Sequence, residues 1–134
     1  MVLIFDNQCP PNLAKGLNLL EDGNRKSPIK ATVKHIRDIT DEDATDEEII
    51  KHVGKHKGII ITLDKDFKYH KHYYQLYKEY NVGVVFYRST KGFNYWEIVK
   101  YFINSWDIMK SKIKDEIKPF AFEMTKKGIT KLSF

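Results

Sequence analysis

Apolar positions fall into two kinds of pattern along the chain. Val2-Leu3-Ile4-Phe5, Ile59-Ile60-Ile61-Thr62 and Val82-Gly83-Val84-Val85-Phe86-Tyr87 are short, continuous runs without alternation. Such runs predict strands buried on both faces. Thr32-Val33-Lys34-His35-Ile36 is β-branched and predicts another strand. Between these runs the apolar residues recur every three or four positions. Leu13, Ala14, Leu17 and Leu20 predict the buried stripe of a helix. It opens at Pro11, where a missing N–H costs little, and stops near Gly23. Thr45-Asp46-Glu47-Glu48 has the capping-box pattern, so a helix begins at Thr45 or Asp46. That helix buries Ile49, Ile50 and Val53 and is closed by Gly58. Tyr69 to Tyr80 predicts a helix rich in tyrosine and histidine. Phe93 to Ile117 predicts a long one, with Trp96, Val99, Ile103, Trp106 and Ile113 at helical spacing and Pro119 as its breaker. Phe120 to Thr125 and Ile129 to Phe134, separated by Lys126-Lys127-Gly128, predict a terminal hairpin.

Strand and helix thus alternate four times. That order predicts an α/β fold with a central parallel sheet covered by helices on both faces. The chain has 134 residues, which fits a single domain, with a core over about 1–117 and a C-terminal extension over 118–134. Hydrophobic residues make up 42% and charged residues 31%, a balance that suits a globule and excludes a disordered tail. The apolar opening run ends at Asp6, too soon for a secretory leader, and no stretch approaches a membrane span. A single cysteine, Cys9, excludes an internal disulfide. A cytoplasmic protein is expected. The net charge of +5 favours a polyanionic partner, though lysine also accumulates for reasons unrelated to binding.

The predicted topology makes the position of each acid informative, because open α/β sheets bind ligands beyond the C-terminal ends of their strands. Asp6 directly follows the first strand, and Asp64 and Asp66 directly follow the third. Asp46 opens the helix reached from the second. All four are candidate catalytic residues, with Asp6, Asp46 and Asp64 as metal ligands. Clustered carboxylates repel one another, and a hard divalent cation such as Mg²⁺ or Mn²⁺ removes that penalty. Each also has an ordinary reading as a turn former or helix cap. Zinc is disfavoured, since no cysteine–histidine spacing suits it.

Arg88 and Lys91 follow the fourth strand and are candidate phosphate contacts, with Asn7 and Thr62 as further substrate-binding candidates at the same edge. Thr62 also ends a strand, from which its hydroxyl can steady the carboxylates. Asp41, Glu42 and Asp43 read as a solvated loop, and Glu47 and Glu48 as capping acids. His70 and His72 are two apart on a helix and point in different directions, a poor arrangement for a metal. The tyrosines around them read as an amphipathic helix or as a stacking surface for unpaired bases. Trp96 and Trp106 read as core or partner-facing residues.

Phe5-Asp6-Asn7 with Pro10-Pro11, then Asp43-Ala44-Thr45-Asp46-Glu47-Glu48-Ile49-Ile50, then Ile60-Ile61-Thr62-Leu63-Asp64-Lys65-Asp66-Phe67 resemble PIN-like domains over about residues 1–90. The order and spacing are similar to a compact branch near the VapC-type toxins. The resemblance implies a three-layer α/β/α fold and a Mg²⁺- or Mn²⁺-dependent endoribonuclease. It places Asp6, Asp46, Asp64 and Asp66 at the family's acidic positions. It also implies the toxin of a toxin–antitoxin pair, with RNA as substrate, a small antitoxin protein as partner and a homodimer. Asn7 departs from the pattern, standing where relatives often carry an acid, which implies weaker metal binding. The competing readings are a catalytically inactive module that binds RNA or protein, and a small phosphatase. The latter lacks the Asp-x-Asp that an aspartyl-phosphate mechanism wants after the first strand.

Overall fold

The computed structural model describes residues 1–24, 26–63, 71–88 and 93–133. Along the chain come β1 (Val2–Phe5), α1 (Pro11–Gly23), β2 (Thr32–His35), α2 (Asp46–Lys55), β3 (Gly58–Thr62), α3 (Lys71–Tyr80), β4 (Gly83–Tyr87), α4 (Tyr95–Ile113), β5 (Phe120–Thr125) and β6 (Gly128–Leu132). The strands form one sheet in the order β2-β1-β3-β4-β5-β6. All neighbours are parallel except β5 and β6, which make the antiparallel hairpin expected at the C-terminal end. No helix among the described residues is long and apolar enough to cross a membrane.

Alternate strand residues feed two cores. Leu3, Phe5, Ile61, Val85 and Phe122 face α1 and α4, while Ile4, Ile60, Val84 and Ala121 face α2 and α3. The result is three layers, α/β/α, and β3 and β4 are buried along their whole lengths. Their unbroken apolar runs are what such a central position requires. β5 is a full member of the sheet, paired with β4 from Gly83↔Phe120 to Tyr87↔Met124.

The crossovers β3-α3-β4 and β4-α4-β5 step the same way across the sheet, yet α3 lies beside α2 and α4 beside α1 on the opposite face. They therefore have opposite hands, although nearly all such units are right-handed. Polar and aromatic contacts hold α4 in this place. Glu21 of α1 accepts hydrogen bonds from Lys110 Nζ at 2.6 Å and Trp106 Nε1 at 2.7 Å. Phe102 packs 5.2 Å from Phe5 and 4.1 Å from Tyr87, between ring centroids.

Several expected boundaries and faces are corrected. β2 ends at His35, because Ile36–Asp38 winds into a 3-10 turn. In that turn the His35 N–H donates to Asp38 Oδ2, and His35 Nδ1 accepts from the Arg37 N–H. Gly58 opens β3 and does not close α2. Lys57 supplies the left-handed turn at φ 55°, and a Cβ at Gly58 would lie 2.7 Å from Ile4 Cδ1. The long helix covers Tyr95–Ile113, capped by Asn94, whose side chain accepts from the Glu97 N–H at 2.9 Å. Its buried row is Phe102, Trp106, Met109 and Ile113. Leu20, expected on the buried stripe of α1, is 65% exposed, and with Trp96 and Ile103 of α4, 66% and 52% exposed, it flanks a cleft between α1 and α4. Both rows of α4 are apolar, and a helix can turn only one to the sheet.

Candidate active site

From β1 the chain crosses to β2 on one side, while β3 lies against the other side of β1 and leads away to β4. The connections diverge at the C-terminal ends of β1 and β3, the kind of crevice where doubly wound sheets bind ligands. Asp6 and Thr62 stand at this point. The Asp6 N–H continues the ladder to the Ile61 carbonyl at 3.1 Å. Its carboxylate is gripped from two directions, since Oδ2 accepts from the Thr62 hydroxyl and Oδ1 from the Gln8 N–H at 3.1 Å. Asp6 is 9% exposed and Thr62 has no exposed surface.

The turn after Asp6 is tied down as well. The Cys9 N–H donates to the Asp6 carbonyl at 3.1 Å, and the Cys9 carbonyl accepts from His35 Nε2 at 3.0 Å. His35 Nδ1 is already an acceptor, so its proton sits on Nε2 and the ring is fixed as one tautomer. Burial, and then the charge of Asp6, push the Cys9 thiol well above its ordinary pKa. Cys9 therefore serves as a buried apolar filler and not as a nucleophile.

Asp46 is the first residue of α2 and exposed, and its Oδ2 accepts a hydrogen bond from the Tyr73 hydroxyl of α3. The capping box forms as expected. Thr45 Oγ1 accepts from the Glu48 N–H at 3.2 Å, and Glu48 Oε2 accepts from the Thr45 N–H at 3.1 Å. Glu48 is thereby committed to the cap, and Glu47 accepts from the Tyr80 hydroxyl at 3.2 Å. Tyr77 is buried on α3, one turn beyond Tyr73. Burial first, then Asp6, the hydroxyls of Tyr74 and Tyr73, and Asp46 push its phenol far above the ordinary value. Both carboxylates bear on the Tyr77 phenol, and Tyr73, one turn away on the same helix, holds Asp46.

The other expected site residues are placed as follows. Asp64, Asp66 and Lys91 lie outside the described residues, as does His70. Asn7 is exposed beside Asp6. Thr62 is fully buried, and its hydroxyl steadies the Asp6 carboxylate, the role its place at the end of a strand suggested. Arg88 extends beyond β4 at the same edge, where its Nε lies 3.4 Å from Glu123 Oε2 of β5. Sequence reasoning missed Tyr73, Tyr77 and Glu123. The i, i+4 spacing of the two tyrosines was the available signal for a shared face.

Among the described residues no three His, Cys, Asp or Glu side chains gather closely enough to hold a metal ion. Asp6 and Asp46 nevertheless offer hard carboxylate oxygens. That donor set fits Mg²⁺ or Mn²⁺, since Mg²⁺ takes one or two carboxylates and keeps several waters. It does not fit zinc, which wants nitrogen or sulfur.

Fold and site together define a doubly wound α/β domain with carboxylates at its switch point. A family model described as PIN like domain matches residues 1–89, and the chain belongs to the PIN-like domain family, whose members are often nucleases. No curated protein and no solved structure matches the chain. The matched region contains β1 to β4 and all four candidate acids, while α4 and the β5–β6 hairpin follow it.

Proposed function

We propose that the protein is a Mg²⁺- or Mn²⁺-dependent endoribonuclease. The observation that carries this reading is the Asp6 carboxylate, fixed by Thr62 at the switch point of a PIN-like sheet. Asp6, Asp46 and Asp64 would hold the ion. Bound there, it would acidify a water and neutralise charge on a phosphodiester during in-line attack. Thr62 and the Gln8 N–H keep the Asp6 carboxylate aimed, so it needs no reorganisation as charge develops. Asp66 would position or deprotonate the attacking water. The VapC-type pattern adds a role as the toxin of a toxin–antitoxin pair, with a small antitoxin as partner and a second copy of the chain as neighbour.

The test is a calorimetric Mn²⁺ titration of the wild type and of Asp6→Asn, followed by RNA cleavage with and without EDTA. Mn²⁺ binding that is lost in the variant, with cleavage abolished by EDTA, is the expected result. Cleavage undiminished in EDTA would exclude a metal mechanism. No binding by either protein would assign the domain a non-catalytic binding role.

A further inference from the structure

Beyond the acidic edge, the first half of α4 and the β5–β6 turn enclose a cleft of about 520 Å³. That is within the range of sites for small organic groups. Its wall includes Phe93, Tyr101 and Met124, and its rim carries Lys100, Lys126 and Lys127. Phe93 and Tyr101 meet edge to face with centroids 5.9 Å apart. The Tyr101 hydroxyl donates to the Met124 carbonyl at 3.0 Å, which fixes that ring against the sheet. Lys126 Nζ stands 5.0 Å from the centroid of Phe93, so a cation already sits beside an aromatic face. Three lysines against one acid, Glu97, give the lining a positive balance. An aromatic wall with a cationic rim is the combination that holds single-stranded nucleic acid, by stacking bases and neutralising phosphates.

The location adds to the chemistry. β1, β3, β4 and β5 are parallel neighbours, so the end of β5 faces the same way as Asp6. Three strand spacings separate them, roughly 14 Å. Arg88, at the end of β4, lies between. A strand laid along this edge would pass from the carboxylates over Arg88 into the cleft.

We infer that this cleft binds a single-stranded RNA segment flanking the site of cleavage, stacking a base at Phe93 and Tyr101 and holding its phosphates with Lys100, Lys126 and Lys127. The choice of RNA rests on the ribonuclease reading; the cleft itself lies wholly outside the region matched to the family.

The test is fluorescence anisotropy with a short fluorescein-labelled single-stranded RNA of mixed sequence, in EDTA so that it stays intact. Lys126 and Lys127 are exposed, so the double variant Lys126→Gln/Lys127→Gln should fold normally. It is expected to bind at least about tenfold more weakly, with the slope of log affinity against log salt reduced by about 1.4. Phe93→Leu keeps an apolar side chain and is expected to lose about tenfold through stacking. Unchanged affinity in both variants would overturn the inference and leave the cleft to a protein partner, and failure of the wild type to bind RNA would overturn it too. RNA held through the cleft but never cut with Mn²⁺ would sink the ribonuclease reading while the cleft stands.

Discussion

The Thr62 hydroxyl hydrogen-bonds the Asp6 carboxylate across the junction of β1 and β3, joining residues 56 apart in the chain. Thr62→Val keeps the shape and removes the donor, leaving a buried acceptor short of a partner. The expected cost is about 1–3 kcal/mol. Urea unfolding of both proteins measures it, and an unchanged midpoint would show that the hydroxyl does not hold the carboxylate.

Tyr73 is expected to orient Asp46 for metal. Tyr73→Phe leaves the ring in place and removes an exposed hydrogen bond, so its melting temperature should stay close to that of the wild type. Mn²⁺ affinity should fall about tenfold or more, as when other partners of metal ligands are removed. Equal affinity in the two proteins would reduce Tyr73 to a tether between helices.

Glu21 predicts a pH dependence. Burial alone would raise its pKa, but hydrogen bonds from Lys110, Trp106 and the Ala31 N–H hold it below the ordinary 4.5. A group depressed in the folded state contributes stability that is complete above its unfolded pKa and lost as pH falls through the folded value. The wild type should therefore weaken below about pH 4.5, and Glu21→Gln should flatten that limb. At neutral pH, Lys110→Met should cost about 3–5 kcal/mol, because Glu21 stays buried without its cation. Denaturant titrations across pH test both statements.

Two glycines should respond with opposite signs. Gly16 sits inside α1, where a Cβ would meet nothing within 4 Å. Gly16→Ala should stabilise by about 0.5–1 kcal/mol. At Gly83 a Cβ would lie 2.4 Å from Cζ of the buried Phe120, so Gly83→Ala should destabilise by about 1–3 kcal/mol. Thermal melts of the pair suffice, and a shift in the same direction for both would contradict the packing described.

Local signals carried much of the fold. The Thr45–Glu48 cap and the unbroken apolar runs of β3 and β4 each act within a few residues, so they were legible in the chain. Leu20 was misplaced because helical spacing names a stripe without naming what covers it. The side of the sheet taken by α4 depends on Glu21 meeting Lys110, residues 89 apart, and no periodicity encodes that. At the site, strand ends pointed to Asp6. They also suggested that the Thr62 hydroxyl would steady a carboxylate, whereas the bond from Tyr73 to Asp46 arises only when distant segments fold together.

The position of α4 and β5 also bears on how the molecule is born. A nascent chain with only residues 1–89 free of the ribosome would leave one edge of β4 unpaired. Phe5 and Tyr87 would lack Phe102, and the α1 face would lack Trp106, Met109, Phe120 and Phe122. At ordinary translation rates the missing segment takes on the order of a few seconds to emerge. The acidic edge is encoded before the scaffold that holds it rigid, so the domain matures only once α4 and β5 have followed it.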